Sequence, residues 1–387
     1  MVEIVATALL CVAVFLYGLY CAIHIGMHCT EYSPDEAHYI AMARRMLKEG
    51  MYSFWGSEPD AYVTPGYPVL LAVCLSVFGT GDLGLFSVKV FQAAMVSGIV
   101  FLTILLGKRL TARFSAGLIA GTLTAGNLTF QFFANHLLTE VPYCYFMMLF
   151  FYCLCEALRR QKLWLHMIAG ALFAAAVLIR PLIFVTLPFL YLPVMVRSRG
   201  RAWKALVFFL IGSLVFFVPW WIRNLIVLDK FILFATQTNP FFAGLAEDPY
   251  GLGLDDPGTI FGNLKLFVEF VIKWPIKTLR WMTFDKFNII FGKNFGSYHA
   301  VVLTAFIQNV TVYVGLCSAV CAFCRKSARG ALLIFWVYFA STFLFVPDPR
   351  YALQYIPLFG ILAGWLITAS AQEEQIIEAS IINTYRS

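Results

Sequence analysis

Long apolar runs separated by short polar connectors cover most of the chain up to about residue 370. An α-helix needs about 20 consecutive apolar residues to cross a bilayer, and runs of this kind recur along the sequence. A further apolar stretch at 67–79 is too short to span comfortably, which favours a re-entrant or tilted helix. The pattern predicts about ten membrane-spanning helices, at 6–25, 84–106, 114–134, 141–158, 164–179, 182–196, 203–221, 300–322, 330–346 and 352–370.

The composition supports this assignment, because 61% of the 387 residues are hydrophobic and only 13% are charged. Soluble domains carry roughly 25% charged residues. The first apolar run has no basic residue before it and no clear small-residue cleavage site after it, so we interpret it as a retained helix rather than a signal peptide. We expect an all-α polytopic membrane protein in which residues 1–387 form a single integral membrane domain.

Four basic connectors that contain no acidic residue set the predicted topology. Lys and Arg gather in short cytoplasmic loops, so these connectors are expected inside the cell. Both termini then lie in the cytoplasm, and the net charge of +7 reflects membrane topology rather than nucleic-acid binding. The basic residues of the connectors are Lys108, Arg109 and Arg113; Arg159, Arg160 and Lys162; Arg197, Arg199, Arg201 and Lys204; and Arg325, Lys326 and Arg329.

Two segments are expected on the outer side of the membrane, at 26–66 and 222–299. In the first, the letters SPDEAHYIAMARRML predict an amphipathic juxtamembrane helix, with Ser33 and Glu36 spaced as a capping box. The second is long enough for an interfacial helix, such as one over 264–279, and it is the candidate cover for donor and acceptor.

Each helix predicted to run outward brings an ionisable residue to the same face. Ionisable groups at membrane depth are costly, and they are candidates for function by default. Helix capping accounts well for Glu36 but only in part for Asp35. The pattern therefore predicts a shared polar site on the outer face. Its members are Asp35 and Glu36, His136 and Glu140, Arg180, Arg223, and Arg350 with Tyr351.

Six short segments, spread over nearly the whole chain, carry a family resemblance. They are SPDEAHYIAMARRML, AYVTPGYPVLLA, LLTEVPYCYFMML, GALFAAAVLIRPLIFVTLP, VPWWIRNLIVLDKFI and PDPRYALQYIPL. Their order, spacing and shared outer location together resemble the GT-C superfamily of glycosyltransferases. The most similar branch comprises family 39, the protein O-mannosyltransferases and the aminoarabinose transferases that modify lipid A.

The resemblance implies a GT-C fold and an inverting glycosyltransferase. Such an enzyme takes a sugar from a polyprenyl monophosphate carrier and passes it to an acceptor hydroxyl on the outer face of the membrane. By this resemblance Asp35 is the general base that accepts the hydroxyl proton, Glu140 supports the acceptor or shares that role, and Glu36 is a further candidate catalytic residue.

The resemblance also implies residues that bind the substrates. Arg350 is the first choice for the leaving phosphate, followed by Arg223 and Arg180, because a guanidinium fork matches phosphate oxygens. His38 stands where the family often has Arg, so a phosphate contact at this position would depend on a protonated imidazole. The other candidate substrate-binding residues are Tyr351, His136, Tyr62 and Tyr67.

The resemblance implies no cofactor and no divalent metal. The expected partners are the polyprenyl-phosphate sugar donor, the surrounding membrane lipids, and an acceptor that is a lipid, a glycan or a protein. The style of the motifs favours a bacterial inner membrane, with the active site on the outer face.

Three other functions fit parts of the sequence. A transporter or lipid flippase would also have many helices and intramembrane charges, but it is expected to show inverted repeats, and the sequence shows no convincing repeat. A polymerase of lipid-linked oligosaccharides would use a pyrophosphate-linked donor. A non-catalytic membrane scaffold gives no reason for Asp35 and Glu140 to share one face.

Overall fold

The computed structural model describes residues 1–24, 34–197, 203–237, 298–323, 329–342 and 349–368. Within these ranges the chain forms α-helices and two 3-10 helices, and it contains no strand. The α-helices are α1 Val2–His24, α2 Pro34–Glu49, α3 Gly66–Phe78, α4 Asp82–Thr111, α5 Phe114–Ala125, α6 Thr129–Ala134, α7 Glu140–Arg160, α8 Leu163–Ile179, α9 Leu187–Leu190, α10 Leu192–Arg197, α11 Trp203–Leu228, α12 Tyr298–Phe323, α13 Arg329–Thr342 and α14 Ile356–Thr368. The 3-10 helices are Pro181–Thr186 and Pro349–Tyr355.

The helices of the described chain confirm an all-α membrane architecture. Six stretches are long and apolar enough to cross a bilayer. Shorter apolar helices, among them α3, α5 and α8, pack between them. The total of about ten spans stays a prediction. The six long stretches are Val2–His24, Asp82–Thr111, Glu140–Arg160, Trp203–Leu228, Ala305–Ala322 and Tyr351–Thr368.

Ion pairs join the ends of α1, α4 and α7 on one side of the bundle. Glu3 at the start of α1 pairs with Lys108 near the end of α4 at 2.5 Å. The buried Glu156 of α7 binds Arg109 of α4 at 2.7 Å and Arg160 of its own helix at 2.7 Å. The basic members of these pairs, Lys108, Arg109 and Arg160, belong to connectors predicted to be cytoplasmic. We call this the arginine end, and the opposite end, where α7 begins, the site end.

Glycine allows α8 and α11 to pack with their backbones in close contact. A Cβ atom at Gly170 would overlap the carbonyl oxygen of Phe209, and one at Gly212 would overlap that of Met167. Small residues at helix crossings permit this approach, which is a common way for helices to associate in a membrane. The contact holds α8 against α11. Arg180 is the residue that follows α8, so its position depends on this packing.

The first outer segment folds largely as predicted. Helix α2 ends at Glu49, and Gly50 closes it in a left-handed conformation with φ +66°. Its apolar face, which includes the fully buried Met42 and Ala43, packs against α3. Helix α3 has 13 residues, which agrees with the prediction of a short apolar helix. Ser33, the predicted cap of α2, lies outside the described residues.

The prediction of one helix over 114–134 is wrong. Helix α5 ends at Ala125, and a separate short helix begins at Thr129. Between them the Asn127 side chain accepts a hydrogen bond from the N–H of Thr129 at 3.0 Å. An Asn side chain that bonds the backbone two residues on competes with helix continuation, which explains the break.

The prediction of one helix over 182–196 is also wrong. This segment consists of the 3-10 helix Pro181–Thr186 followed by the short helices α9 and α10. Each α-helix has a proline at its second position, Pro188 in α9 and Pro193 in α10. Proline lacks an N–H and is tolerated in the first turn of a helix but not in its interior, so the segment restarts at each one.

Helix α11 runs further than predicted, because it continues through Pro219 to Leu228. Arg223 therefore lies inside a helix rather than at the start of the outer loop 222–299. The part of that loop beyond residue 237, including the helix expected at 264–279, lies outside the described residues.

The close α8–α11 contact predicts a strong response to one added methyl group. Gly170→Ala or Gly212→Ala should lower the stability by about 1–3 kcal/mol, because overpacking forces the two backbones apart. The thermal unfolding midpoint of the detergent-purified protein measures this. Gly81→Ala is the control, since a Cβ at Gly81 meets nothing within 4 Å. Equal midpoints for all three variants would contradict the packing described.

Candidate active site

A buried carboxylate, Glu36, fastens the first turn of α2 to the loop between α6 and α7. Its Oε1 accepts a hydrogen bond from the N–H of Leu137 at 2.8 Å, and its Oε2 lies 3.1 Å from His136 Nδ1. Both side chains of the Glu36–His136 pair are almost fully buried. Since an ionised carboxylate only accepts hydrogen bonds, the Nδ1 atom of His136 carries the hydrogen.

The surroundings of Glu36 favour its ionised form. Burial by itself raises the pKa of Glu36. The hydrogen bond and charge of His136, the N–H of Leu137 and the nearby Lys89 outweigh that effect and leave the pKa below its ordinary value. Glu36 therefore acts as a charged anchor in this site.

Gln92 of α4 holds the same loop from the other side. Its Nε2 donates to the carbonyl oxygens of Ala134 at 3.0 Å and His136 at 2.9 Å. Its Oε1 lies 3.5 Å from the hydroxyl of Tyr67 at the start of α3. One buried amide thus links α3 and α4 to the loop that leads into α7.

Tyr67 contacts Tyr39 of α2 and, through Gln92, is linked to the loop before α7. Its side chain is fully buried, and burial raises the pKa of its hydroxyl well above the ordinary value. The charges of Glu36 and Glu140 raise that pKa further. The ring of Tyr39 meets that of Tyr67 edge-on at 5.1 Å. Glu36 itself binds His136 and Leu137, which lie within four residues of Glu140, so the structure brings the predicted acids of α2 and α7 to one end of the bundle.

Arg180 and Glu140 form a buried ion pair at the site end. Arg180 Nη2 lies 2.6 Å from Glu140 Oε1, and Arg180 Nε donates to Thr139 Oγ1 at 2.6 Å. The Glu140 side chain is 1% exposed and the Arg180 side chain 15%. The guanidinium lies over the ring of Tyr351, 4.8 Å from its centroid. A buried charge needs a partner and hydrogen bonds, and this arrangement supplies both.

Tyr351, which contacts Arg180 through its ring, belongs to the 3-10 helix Pro349–Tyr355. The backbone of Arg350 belongs to that helix, but its side chain lies outside the described residues. The phosphate-binding role of Arg350 stays a prediction.

Arg223 contacts the first outer loop. Its Nη1 donates to the carbonyl oxygen of Asp60 at 2.7 Å, and its Nη2 donates to that of Tyr52 at 2.9 Å. Its guanidinium also lies over the rings of Tyr52 and Trp220. The described contacts of Arg223 thus fix the loop, and its phosphate-binding role stays a prediction.

Asp35 precedes Glu36 in the first turn of α2 and is half-buried. Successive residues of an α-helix are about 100° apart, so Asp35 and Glu36 occupy different faces of α2. His38, three residues after Asp35, shares its face. The His38 ring stacks on the Phe54 ring with centroids 4.6 Å apart, and the Tyr62 ring lies 5.0 Å from the Phe54 ring.

Three polar residues of the site were missed in the sequence. Thr139 immediately precedes the predicted Glu140, and it binds Arg180. Lys89 and Gln92 lie one helical turn apart within the apolar helix α4. Two polar residues at this spacing in a membrane helix indicate a polar face, a signal that the sequence carries in SVKVFQ. Within the described ranges, no group of three or more His, Cys, Asp or Glu side chains is arranged for a metal ion.

The matches to a known family and to a known sequence each cover part of this chain. Residues 62–222 match the family Dolichyl-phosphate-mannose-protein mannosyltransferase. An uncharacterized protein of Aquifex aeolicus is 27% identical over 263 residues, which cover 64% of this chain and 50% of that protein. The chain thus spans about half the length of this relative.

Two solved structures share the fold. The crystal structure of ArnT from Cupriavidus metallidurans bound to undecaprenyl phosphate matches with a TM-score of 0.54 and 18% identity, covering 97% of this chain and 63% of that one. The apo structure matches with a TM-score of 0.53 and 18% identity, covering 97% and 62%. The chain therefore shares the GT-C fold that the resemblance of its motifs implies.

The Glu36 anchor predicts a pH-dependent stability difference. Glu36→Gln keeps the shape but removes the charge, which should cost about 1–3 kcal/mol near pH 7. Because the native pKa of Glu36 is lowered, its stabilisation is present above the ordinary Glu pKa of about 4.3 and is lost as the pH falls through the lowered value.

Thermal unfolding midpoints of wild type and Glu36→Gln, measured from pH 7 downwards, should therefore converge in acid. Glu58→Gln is the matched control, because Glu58 is exposed. A difference that stays constant from neutral pH to pH values below the ordinary Glu pKa would contradict the charged anchor.

Proposed function

We propose that this GT-C chain is a glycosyltransferase that moves a sugar from a polyprenyl monophosphate to an acceptor hydroxyl. The observation that carries the proposal is the hydrogen bonding of Glu36, the residue after Asp35, to the loop that leads into Glu140 and its ion pair with Arg180. A matched family named for a dolichyl-phosphate sugar, and a similar fold seen with undecaprenyl phosphate, support the donor class.

In the proposed reaction Asp35 is the general base. Its carboxylate takes the proton of the acceptor hydroxyl as the oxygen forms a bond to the anomeric carbon of the sugar. The bond from that carbon to the phosphate oxygen breaks, and its electron pair leaves with the lipid phosphate. Attack from the side opposite the phosphate inverts the anomeric configuration.

The leaving phosphate gains negative charge, and Arg180 is placed to receive it in this proposal. Its described hydrogen bonds use Nε and Nη2, while a guanidinium has five N–H donors in all. Donors on Nη1 remain for a phosphate oxygen, and Glu140 and Tyr351 hold the group in place. Arg350 and Arg223 are the other proposed cations.

Glu36 has a different proposed role from Asp35. Both of its oxygens are occupied by the loop before α7, so it acts as a positioning residue that sets the first turn of α2 against Glu140. The carboxylate of Glu140 in turn orients Arg180. In this proposal arginines meet the phosphate charge, and no cofactor or metal takes part.

The proposed location is the outer face of a bacterial inner membrane. The arginine end of the bundle carries Lys108, Arg109, Arg159 and Arg160. Because basic residues gather on the cytoplasmic side, this end supports the proposal that the site end lies outside and the amino terminus inside.

Binding of the carrier lipid tests the proposal directly. We expect undecaprenyl phosphate to raise the thermal unfolding midpoint of the detergent-purified protein, whereas undecaprenol should not. A ligand at 100 times its Kd adds about 2.7 kcal/mol to the stability. No shift with undecaprenyl phosphate, an equal shift with undecaprenol, or a larger shift with undecaprenyl pyrophosphate would contradict the proposed donor.

A double variant tests the role of Arg180 without leaving a buried charge alone. Arg180→Gln/Glu140→Gln removes both charges of the pair, whereas either single change would strand its partner. We expect the double variant to fold and to bind undecaprenyl phosphate about tenfold more weakly, the effect of one charge-assisted hydrogen bond. Unchanged binding would assign the phosphate to other residues.

A further inference from the structure

Four aromatic side chains of the first outer segment form a connected cluster beside α2. Trp55 lies within 5.5 Å of the His38 ring and 5.1 Å of both Phe54 and Tyr62, measured between centroids. His38 and Tyr62 each contact Phe54 as well. We call His38, Phe54, Trp55 and Tyr62 the aromatic cradle.

The cradle has a buried floor and an accessible rim. Phe54 is 5% exposed, whereas Trp55 is 61% exposed. His38 and Tyr62 are half-buried at its sides. The three rim residues each carry a polar group, namely an imidazole, an indole N–H and a phenol hydroxyl. An apolar face with polar edges suits a ligand that has flat C–H surfaces and hydroxyl groups.

Hydrogen bonds hold the exposed Trp55 in place. The Asp60 carboxylate accepts from the backbone N–H of Phe54 at 2.7 Å, of Trp55 at 3.3 Å and of Tyr62 at 3.1 Å. Arg223 binds the same loop from α11. A rigid, exposed indole offers a large contact area at little cost in conformational entropy, which is typical of binding surfaces.

The cradle adjoins the proposed base. His38 follows Asp35 by three residues on the same face of α2. A run of ring contacts also leads from Phe54 to Tyr39 at 6.2 Å and from Tyr39 to Tyr67 at 5.1 Å. A group resting on the cradle would lie next to the carboxylate that takes the acceptor proton.

We infer that the aromatic cradle binds a sugar ring of the acceptor, so that the acceptor is a glycan or a glycolipid. This inference rests on the proposed function for the role of the bound group as acceptor. The rings of the cradle accept the C–H face of the sugar, and the polar groups of His38, Trp55 and Tyr62 bond its hydroxyls. The hydroxyl to be glycosylated then points towards Asp35.

Saturation-transfer NMR tests the cradle without any need for activity. The probes are the methyl glycosides of glucose, galactose, mannose and N-acetylglucosamine, added to the full detergent-purified chain. We expect transfer to the ring protons of at least one of them. Trp55→Ala should weaken that binding by about one power of ten, the effect of removing one stacking aromatic ring.

Three further variants separate stacking of the glycoside on Trp55 from a general loss of binding. Trp55→Phe should retain most of the binding, and Trp164→Ala, which removes an exposed tryptophan of α8, should retain all of it. Asp35→Asn should also bind, since the carboxylate acts on the proton and not on the ring face. Because Trp55 is exposed, its truncation should not prevent folding.

The inference is overturned if no glycoside receives saturation in the wild type, or if Trp55→Ala binds as the wild type does. A lower unfolding midpoint of Trp55→Ala in lipid bicelles, with glycoside binding intact, would make Trp55 a membrane anchor instead. Failure of undecaprenyl phosphate to bind would remove the proposed donor but leave glycoside binding measurable, so the two failures are distinguishable.

Discussion

The position of the whole site depends on one buried contact, between the Glu36 carboxylate of α2 and the loop that precedes α7. This contact ties the first turn of α2, and therefore Asp35, to the loop that leads into the helix starting at Glu140. A buried carboxylate is stable only when it is paired and hydrogen-bonded, and His136 and Leu137 meet both needs. The same loop is held from α4 by Gln92, so the two acidic helix starts are fixed relative to each other.

Much of the fold could be predicted from the sequence, because an apolar run of sufficient length is itself the signal for a membrane helix. The errors came from features that the length of a run does not record. The side chain of Asn127 ends one helix, and Pro188 and Pro193 restart another. By contrast Pro219 is accommodated within α11, since neighbouring groups in a bundle can compensate for a missing bond. Whether a proline breaks a helix thus depends on packing.

The sequence indicates at which end of the bundle the candidate site residues lie, but it does not indicate their contacts with one another. That Glu140 and Arg180 would share one end of the bundle follows from the direction of their helices. That they form a buried pair over Tyr351 depends on contacts between distant parts of the chain, which no local pattern contains. Arg223 is a similar case, since its partners Tyr52 and Asp60 lie more than 160 residues earlier.

In the proposed reaction Asp35 activates an acceptor against a polyprenyl-phosphate sugar, and the lipids that copurify with the protein report on this step. Mass spectrometry compares the lipids extracted from wild type, from Asp35→Asn and from the control Asp82→Asn. Asp82 is an exposed acidic residue at the start of α4. We expect that only Asp35→Asn accumulates a polyprenyl monophosphate bearing a sugar, because this variant binds the donor but cannot transfer its sugar. Equal amounts in all three samples, or a sugar carried on a pyrophosphate, would contradict it.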